Sequence, residues 1–216
     1  MFEQMFSKLA ELKPITWTIL ATLVINALVF LYLGKNRTKT KFNTRMLVYG
    51  SLCISLSFVL SYIRLYRFPQ GGSITPASML PMFFFALVFG PVPGIIAGFA
   101  YGFLQLIQDP YVIHWAQMLL DYPLAFGAMG FAGLYSKNLG IASLIGGFGR
   151  FFMSFLSGVI FFASYAPEGM NVYWYSLTVN GLIIGTDTLI CAILSQLPQI
   201  HKPLSRIAEE LTIKAE

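Results

Sequence analysis

An all-α integral membrane protein is the fold class that this sequence predicts, on three observations. Apolar residues make up 56% of the 216-residue chain and charged residues 11%, with 20 phenylalanines, whereas a soluble chain carries about 25% charged residues. Mean hydropathy is +0.70, so the chain lacks the polar surface to face water all round and takes lipid as its main solvent. Apolar residues gather into seven segments, and Lys and Arg gather at the segment ends. The net charge of +5 is therefore a topology signal rather than a nucleic-acid footprint. Cys53 and Cys191 both lie in apolar runs and give neither a disulfide framework nor a metal spacing.

The segments run over roughly residues 15–33, 46–63, 77–90, 93–107, 113–134, 140–165 and 173–198. At about 1.5 Å per residue, about 20 residues cross the hydrocarbon; the first, second and last three segments are long enough. The first has a basic flank at Lys8 and Lys13, but its apolar run exceeds the roughly 7–15 residues of a signal-peptide core. No clear cleavage site follows it, so it reads as a retained helix. Residues 1–44 then form an extra N-terminal transmembrane helix and a basic cytoplasmic loop, "GKNRTKTKFNTR". Residues 45–200 form the main membrane domain and 201–216 a cytoplasmic tail, the latter amphipathic in "KPLSRIAEELTIKAE". The third and fourth segments hold only about 14 residues each around the turn "GPVPG". Short or Pro/Gly-interrupted segments of this kind flank a cavity in transporter-like bundles.

Basic residues set the orientation. Lys35, Arg37, Lys39, Lys41, Arg45, Lys137, Arg150, Lys202, Arg206 and Lys214 fall on one side; Lys8, Lys13, Arg64 and Arg67 fall on the other. The positive-inside rule then places the N-terminus outside, the C-terminus in the cytoplasm, and the loops 64–76, 108–112 and 166–172 outside.

Ionisable residues inside membrane helices mark function or an internal pairing. Asp121 lies about two turns into the fifth segment, and steps of three and four place His114, Gln117 and Asp121 on one helix face, with Tyr111 above it. Ligand contact and a structural hydrogen bond are both open to Asp121, and interface anchoring is open to His114 and Trp115. Arg150, placed near the cytoplasmic start of the sixth segment, at the end away from the proposed cavity, and Asp187, near the middle of the last, read as a structural pairing or cap. Tyr175 and Asn180 lie near the outer end of the last segment. Asn180 carries two donors and an acceptor, which suits the edge of a heteroaromatic ring. No nucleophile elbow, HExxH or phosphate-cradling glycine loop occurs, so the sequence supports no catalytic or metal residues and no enzyme.

The run "GGSITPASMLPMFFFALVFGPVPGIIAGFAYGFLQ", followed by "DPYVIHWAQMLLDYPLAFGAMGFAGL", "GRFFMSFLSGVIFF" and "YSLTVNG", closely resembles the ThiT family. These are the thiamine-binding S components of energy-coupling-factor (ECF) vitamin transporters, and the resemblance covers roughly residues 45–200. It implies a six-helix S-component core in a bacterial cell membrane, here with one extra N-terminal helix. It also implies capture of the vitamin from outside and docking to a transmembrane scaffold subunit and two cytosolic ATPases. ATP is hydrolysed by those partners, and no cofactor belongs to this chain. By motif, Asp121 stands where many relatives have Glu. Tyr111, Tyr122, Gly158, Tyr175 and Asn180 match binding positions directly, and Phe68 stands where relatives place a Trp in an outer gating loop.

Two departures bear on the ligand. The family's usual His in "GRFxxHFxSG" is Ser154 here, and its Trp eight residues later is Phe162. Phe is a weaker cation–π partner than Trp, and Ser cannot stack. Thiamine leads as ligand, with a thiamine precursor or another vitamin as rival and a pocketless structural membrane protein as the competing class. A fixed thiazolium charge in a low-dielectric cavity requires an opposing charge or π-faces. Asp121 could supply the first; Tyr122, Phe162 and Tyr175 could supply the second. In "GSLCISLSF", Ser51 and Ser55 lie one turn apart, matching the small-x3-small pattern by which S components meet their scaffold. Ordinary intramolecular packing is the other reading of that pair.

Overall fold

The computed structural model describes residues 42–68 and 72–213. The expected helix over 15–33 lies outside the described residues. Asn43 accepts the Met46 N–H at 2.8 Å through its side-chain oxygen, an N-cap that starts α1 (Thr44–Ser61). A two-strand antiparallel pair follows, β1 (Tyr66–Arg67) with β2 (Ser73–Ile74), in a register that sets Tyr66 opposite Ile74. Next come α2 (Leu80–Phe89) and α3 (Pro91–Gln108), joined at Gly90, whose φ of 93° glycine adopts without strain.

The fourth apolar segment has the length to cross after all. The prolines of "GPVPG" enter the first turn of α3, where a missing N–H costs nothing, and bring the helix to 18 residues. Its neighbour α2 stays short, at 10 residues. The fifth segment divides into α4 (Trp115–Leu119), a π turn (Leu120–Leu124), α5 (Ala125–Ala128) and a 3-10 turn (Met129–Leu134). Pro123 lacks an N–H and cannot bond one turn back, so the ladder slips into the wider π geometry. Asn138 caps α6 (Leu139–Phe161) through the Ile141 N–H at 3.0 Å. The last apolar segment is α7 (Val172–Asn180), a second π turn (Gly181–Gly185) and α8 (Thr186–Gln196). Among the described residues, Thr44–Ser61, Pro91–Gln108, Leu139–Phe161 and Val172–Gln196 are long and apolar enough to cross a membrane. The chain is a helical membrane protein.

α2 is apolar all round and lies in the core, with Met82, Phe83, Phe85 and Ala86 almost fully buried. Leu47, Leu52, Leu56 and Val59 of α1, and Phe148 and Phe152 of α6, face outward as a lipid surface requires. α9 (Pro198–Ile213) lays Ile200, Leu204 and Ile207 on the core and leaves His201, Lys202 and Arg206 exposed. The tail is thus amphipathic as expected, although its helix begins at Pro198.

Gly94, Gly98 and Gly102 repeat every four residues along α3 and form a seam with the broken fifth segment. A Cβ at Gly98 would lie 2.9 Å from the Gly127 Cα, and one at Gly102 would lie 2.9 Å from the Pro123 Cα. Only glycine lets two backbones meet that closely. Overpacking costs about 1–3 kcal/mol; Gly98→Ala should destabilise the protein by that margin, seen as a lower thermal unfolding midpoint in detergent. Gly98→Leu should give no monodisperse protein on size exclusion.

Candidate functional site

A cavity of about 180 Å³ opens among α3, the fifth segment, α6 and the last membrane-length helix, α7–α8, beside β2. A single water needs about 10–15 Å³ by this measure, so the space admits a small organic molecule. Asp121, Tyr122, Tyr111, Gln117, Ser154, Gly158, Phe162, Tyr175 and Asn180 all line it.

The π turn is what delivers Asp121 to this space. Gln117, 1% exposed, donates to Asp121 Oδ2 at 2.6 Å and to the Tyr111 carbonyl at 3.0 Å, and accepts from the Ile113 N–H at 3.1 Å. Its donors are thereby committed, and it positions the acid and the loop at Tyr111–Ile113 together. The Tyr122 hydroxyl donates to the Asp109 carbonyl at 2.7 Å and accepts from the Tyr111 N–H at 2.8 Å. Its ring still faces the cavity.

Aromatic side chains gather around the loop that carries Tyr111. Tyr111 stacks on Phe162, with centroids 6.0 Å apart and planes at 21°, and its hydroxyl meets that of Tyr165 at 3.0 Å. That hydrogen bond moves the Tyr111 pKa above its ordinary value. On the opposite wall, Asn180 donates to the Ser176 carbonyl at 3.0 Å, and Ser176 donates to the Phe155 carbonyl at 2.7 Å. A Cβ at Gly158 would collide with the Ser176 hydroxyl. Glycine there lets α6 and α7 close on each other.

His114 and Phe68 stand apart from the lining. His114 precedes α4 in an extended conformation, and its Nδ1 accepts the Ala116 N–H at 3.1 Å. Off the helix, it leaves the face expected for it and stacks on Phe161 at 5.1 Å. Trp115 is 62% exposed, as an interface anchor would be. Phe68 packs edge-on against Tyr66 at 4.8 Å.

Arg150 and Asp187 are not remote from the cavity; both line it. α6 begins at Leu139, which puts Arg150 midway along the helix rather than near its start. No ion pair joins the two among the described residues, where Arg64 and Arg67 both pair with Asp109, at 3.2 and 2.9 Å. The Arg150 guanidinium carbon sits 4.3 Å from the centre of the Phe126 ring, and its Nε has no hydrogen-bond partner. Asp187 instead accepts from Thr75.

Tyr101, Gln105 and Gln108 complete one wall and escaped the sequence reading. Their spacing of four and three residues on an apolar helix was the available signal. Gln105 donates to Ser61 at 2.9 Å and to Gln108 at 3.0 Å, tying α3 to α1.

Truncating the polar support has a measurable consequence. Gln117→Leu removes the partner of the part-buried Tyr111 carbonyl and of Asp121, and should cost about 1–3 kcal/mol, read from thermal unfolding.

Comparison with known proteins gives a consistent set of relatives. The family described as "Thiamine transporter protein (Thia_YuaJ)" matches residues 47–206. "Thiamine transporter ThiT" of Bacillus subtilis is 33% identical over 142 residues, covering 58% of this chain and 73% of that protein. The Lacticaseibacillus paracasei protein of the same name is 37% identical over 123 residues, covering 48% of this chain and 61% of the relative. A solved structure of ThiT from Listeria monocytogenes superposes with a TM-score of 0.65 at 25% identity, over 79% of this chain and 99% of that one. With a match that spans most of its length, the chain belongs to the thiamine transporter protein family.

Proposed function

We propose that the protein is the substrate-binding S component of an ECF-type transporter, taking up thiamine from outside the cell. The observation that carries this reading is the charge and texture of the cavity. Arg64 and Arg67 are both taken up by Asp109 and Arg150 lies over the Phe126 ring, while the Asp121 carboxylate lines the cavity with no ion-pair partner among the described residues. Aromatic faces from Tyr111, Tyr122, Phe162 and Tyr175 surround that charge. A flat monocation meets both needs, because desolvating its charge demands a counter-charge or π-faces.

The loops bearing Arg64, Asp109 and Tyr111 reach the cavity, and the positive-inside rule places these loops outside. The N-terminus is then outside and the C-terminus cytoplasmic. Binding alone cannot concentrate a substrate, and the sequence carries no phosphate-cradling loop. A transmembrane scaffold and two cytosolic ATPases supply the energy in this reading.

Purification in detergent, mass spectrometry of the copurifying small molecule and titration with thiamine and its precursors test the ligand. Tight thiamine binding is expected; binding of a precursor alone would replace thiamine by that precursor. Asp121→Asn should weaken thiamine binding at least tenfold, about 1.4 kcal/mol. Unchanged affinity would remove Asp121 from the site.

Ser51 and Ser55 are exposed on α1, one turn apart, which permits close approach of a partner helix. The double change Ser51→Trp with Ser55→Trp should abolish thiamine uptake by cells while leaving binding to the purified chain intact. Normal uptake would count against that docking face.

A further inference from the structure

Residues 72–79 comprise β2 and its connection to α2, without helical structure, and from Thr75 onward the backbone runs through the interior. Thr75, Ala77 and Ser78 are each 4% exposed, and Met79 is fully buried. Irregular backbone in a membrane protein survives only where its polar groups are satisfied by protein or line a cavity. Both conditions are met here. Gly72, Ser73, Thr75 and Ser78 line the cavity, the Asp187 carboxylate of α8 takes the Thr75 N–H, and Thr75 in turn accepts from the Ala77 and Ser78 N–H groups.

Asp187, 2% exposed, receives the Thr75 N–H on Oδ1 at 2.8 Å. The Thr75 hydroxyl lies 3.0 and 3.1 Å from its two oxygens and 2.7 Å from the Ser78 hydroxyl. Two residues on, Ala77 has a φ of 68°, a left-handed conformation that a residue with a Cβ adopts only when its surroundings impose it. Ile183 of the second π turn packs under Gly72, its Cδ1 3.1 Å from where a Cβ would stand. The segment is thus bent against its preference and anchored at Gly72 and Thr75 to the second π turn and α8.

From this geometry we propose that Asp187 is a positioning residue: it clasps segment 72–79 to the last helix and so holds one wall of the ligand cavity in its binding shape. It acts through Thr75 and not by touching the guest. The clasp deepens the reading of the cavity as a vitamin site and rests on it for its effect on binding. Its effect on the segment itself is independent of the ligand.

The test pairs stopped-flow thiamine release with amide hydrogen exchange, on the full chain in detergent. The variants are Asp187→Ala, Asp187→Asn and Thr75→Val. Asp187→Asn keeps an acceptor for the Thr75 N–H, and Thr75→Val removes only the hydroxyl. In ligand-free protein, Asp187→Ala should speed exchange across 72–79 at least tenfold while Pro91–Gln108 and Leu139–Phe161 stay protected. Thr75→Val should give a smaller increase and Asp187→Asn should retain most of the protection. Thiamine release should accelerate in the same order.

Exchange across 72–79 at the wild-type rate in Asp187→Ala would overturn the clasp. Should that variant fail to fold, wild-type exchange in Thr75→Val together with Asp187→Asn would do the same. Equal losses of binding in Asp187→Ala and Asp187→Asn, with 72–79 still protected, would make Asp187 a ligand contact and overturn the positioning role. Absence of thiamine binding by the wild-type chain would sink the vitamin reading alone, since the ligand-free exchange comparison still decides the clasp.

Discussion

Backbone-to-backbone contact along Gly94, Gly98 and Gly102 is the constraint on which the site depends. Between helices in lipid no water is released by burying apolar side chains, so close van der Waals packing has to supply the cohesion. The seam brings α3 against the fifth segment at Tyr122, Pro123, Phe126 and Gly127. That is the stretch where Pro123 breaks the regular ladder. A π turn there leaves backbone groups that only near neighbours can accommodate. Tight contact with α3 steadies the irregular turn, and the turn aims Asp121 into the cavity.

The polar interior follows a second rule, that each buried group needs a partner inside the protein. Gln117 serves Asp121, Tyr111 and Ile113 at once. Tyr122 ties Asp109 to Tyr111 with one hydroxyl, and Asp187 satisfies the descending segment through Thr75. Several residues that would pass for ligand contacts therefore spend their hydrogen bonds on architecture. Rigidity of this kind suits recognition, because a preorganised site loses less entropy when a guest arrives.

The two departures at Ser154 and Phe162 take on a shape in this setting. Phe162 still offers its face, stacked with Tyr111 and tilted against Tyr165 at 5.5 Å. Ser154 lines the cavity with a short side chain, where a bulkier ring would occupy part of the space. Aromatic contact is thus concentrated where Tyr111, Phe162 and Tyr165 meet, and Asp121 and Arg150 are among the other lining residues.

Composition and hydropathy alone established a helical membrane protein, since a chain this poor in charge can satisfy its backbone in lipid only by helices or a closed barrel. Residue types in their order also identified Asp121, Tyr122, Tyr175 and Asn180 as the unusual polar groups of an apolar chain, and the structure brings them to one cavity. Helical periodicity could not separate His114 from Gln117, because leaving the helix by one residue turns a side chain away regardless of spacing. Nor could it show that Arg150 and Asp187 border the same space, or that Asp187 bonds to Thr75 across 112 positions of sequence. Those facts are decided by packing between distant segments: a local pattern encodes which face of a helix is polar, while only the assembled bundle determines what that face meets.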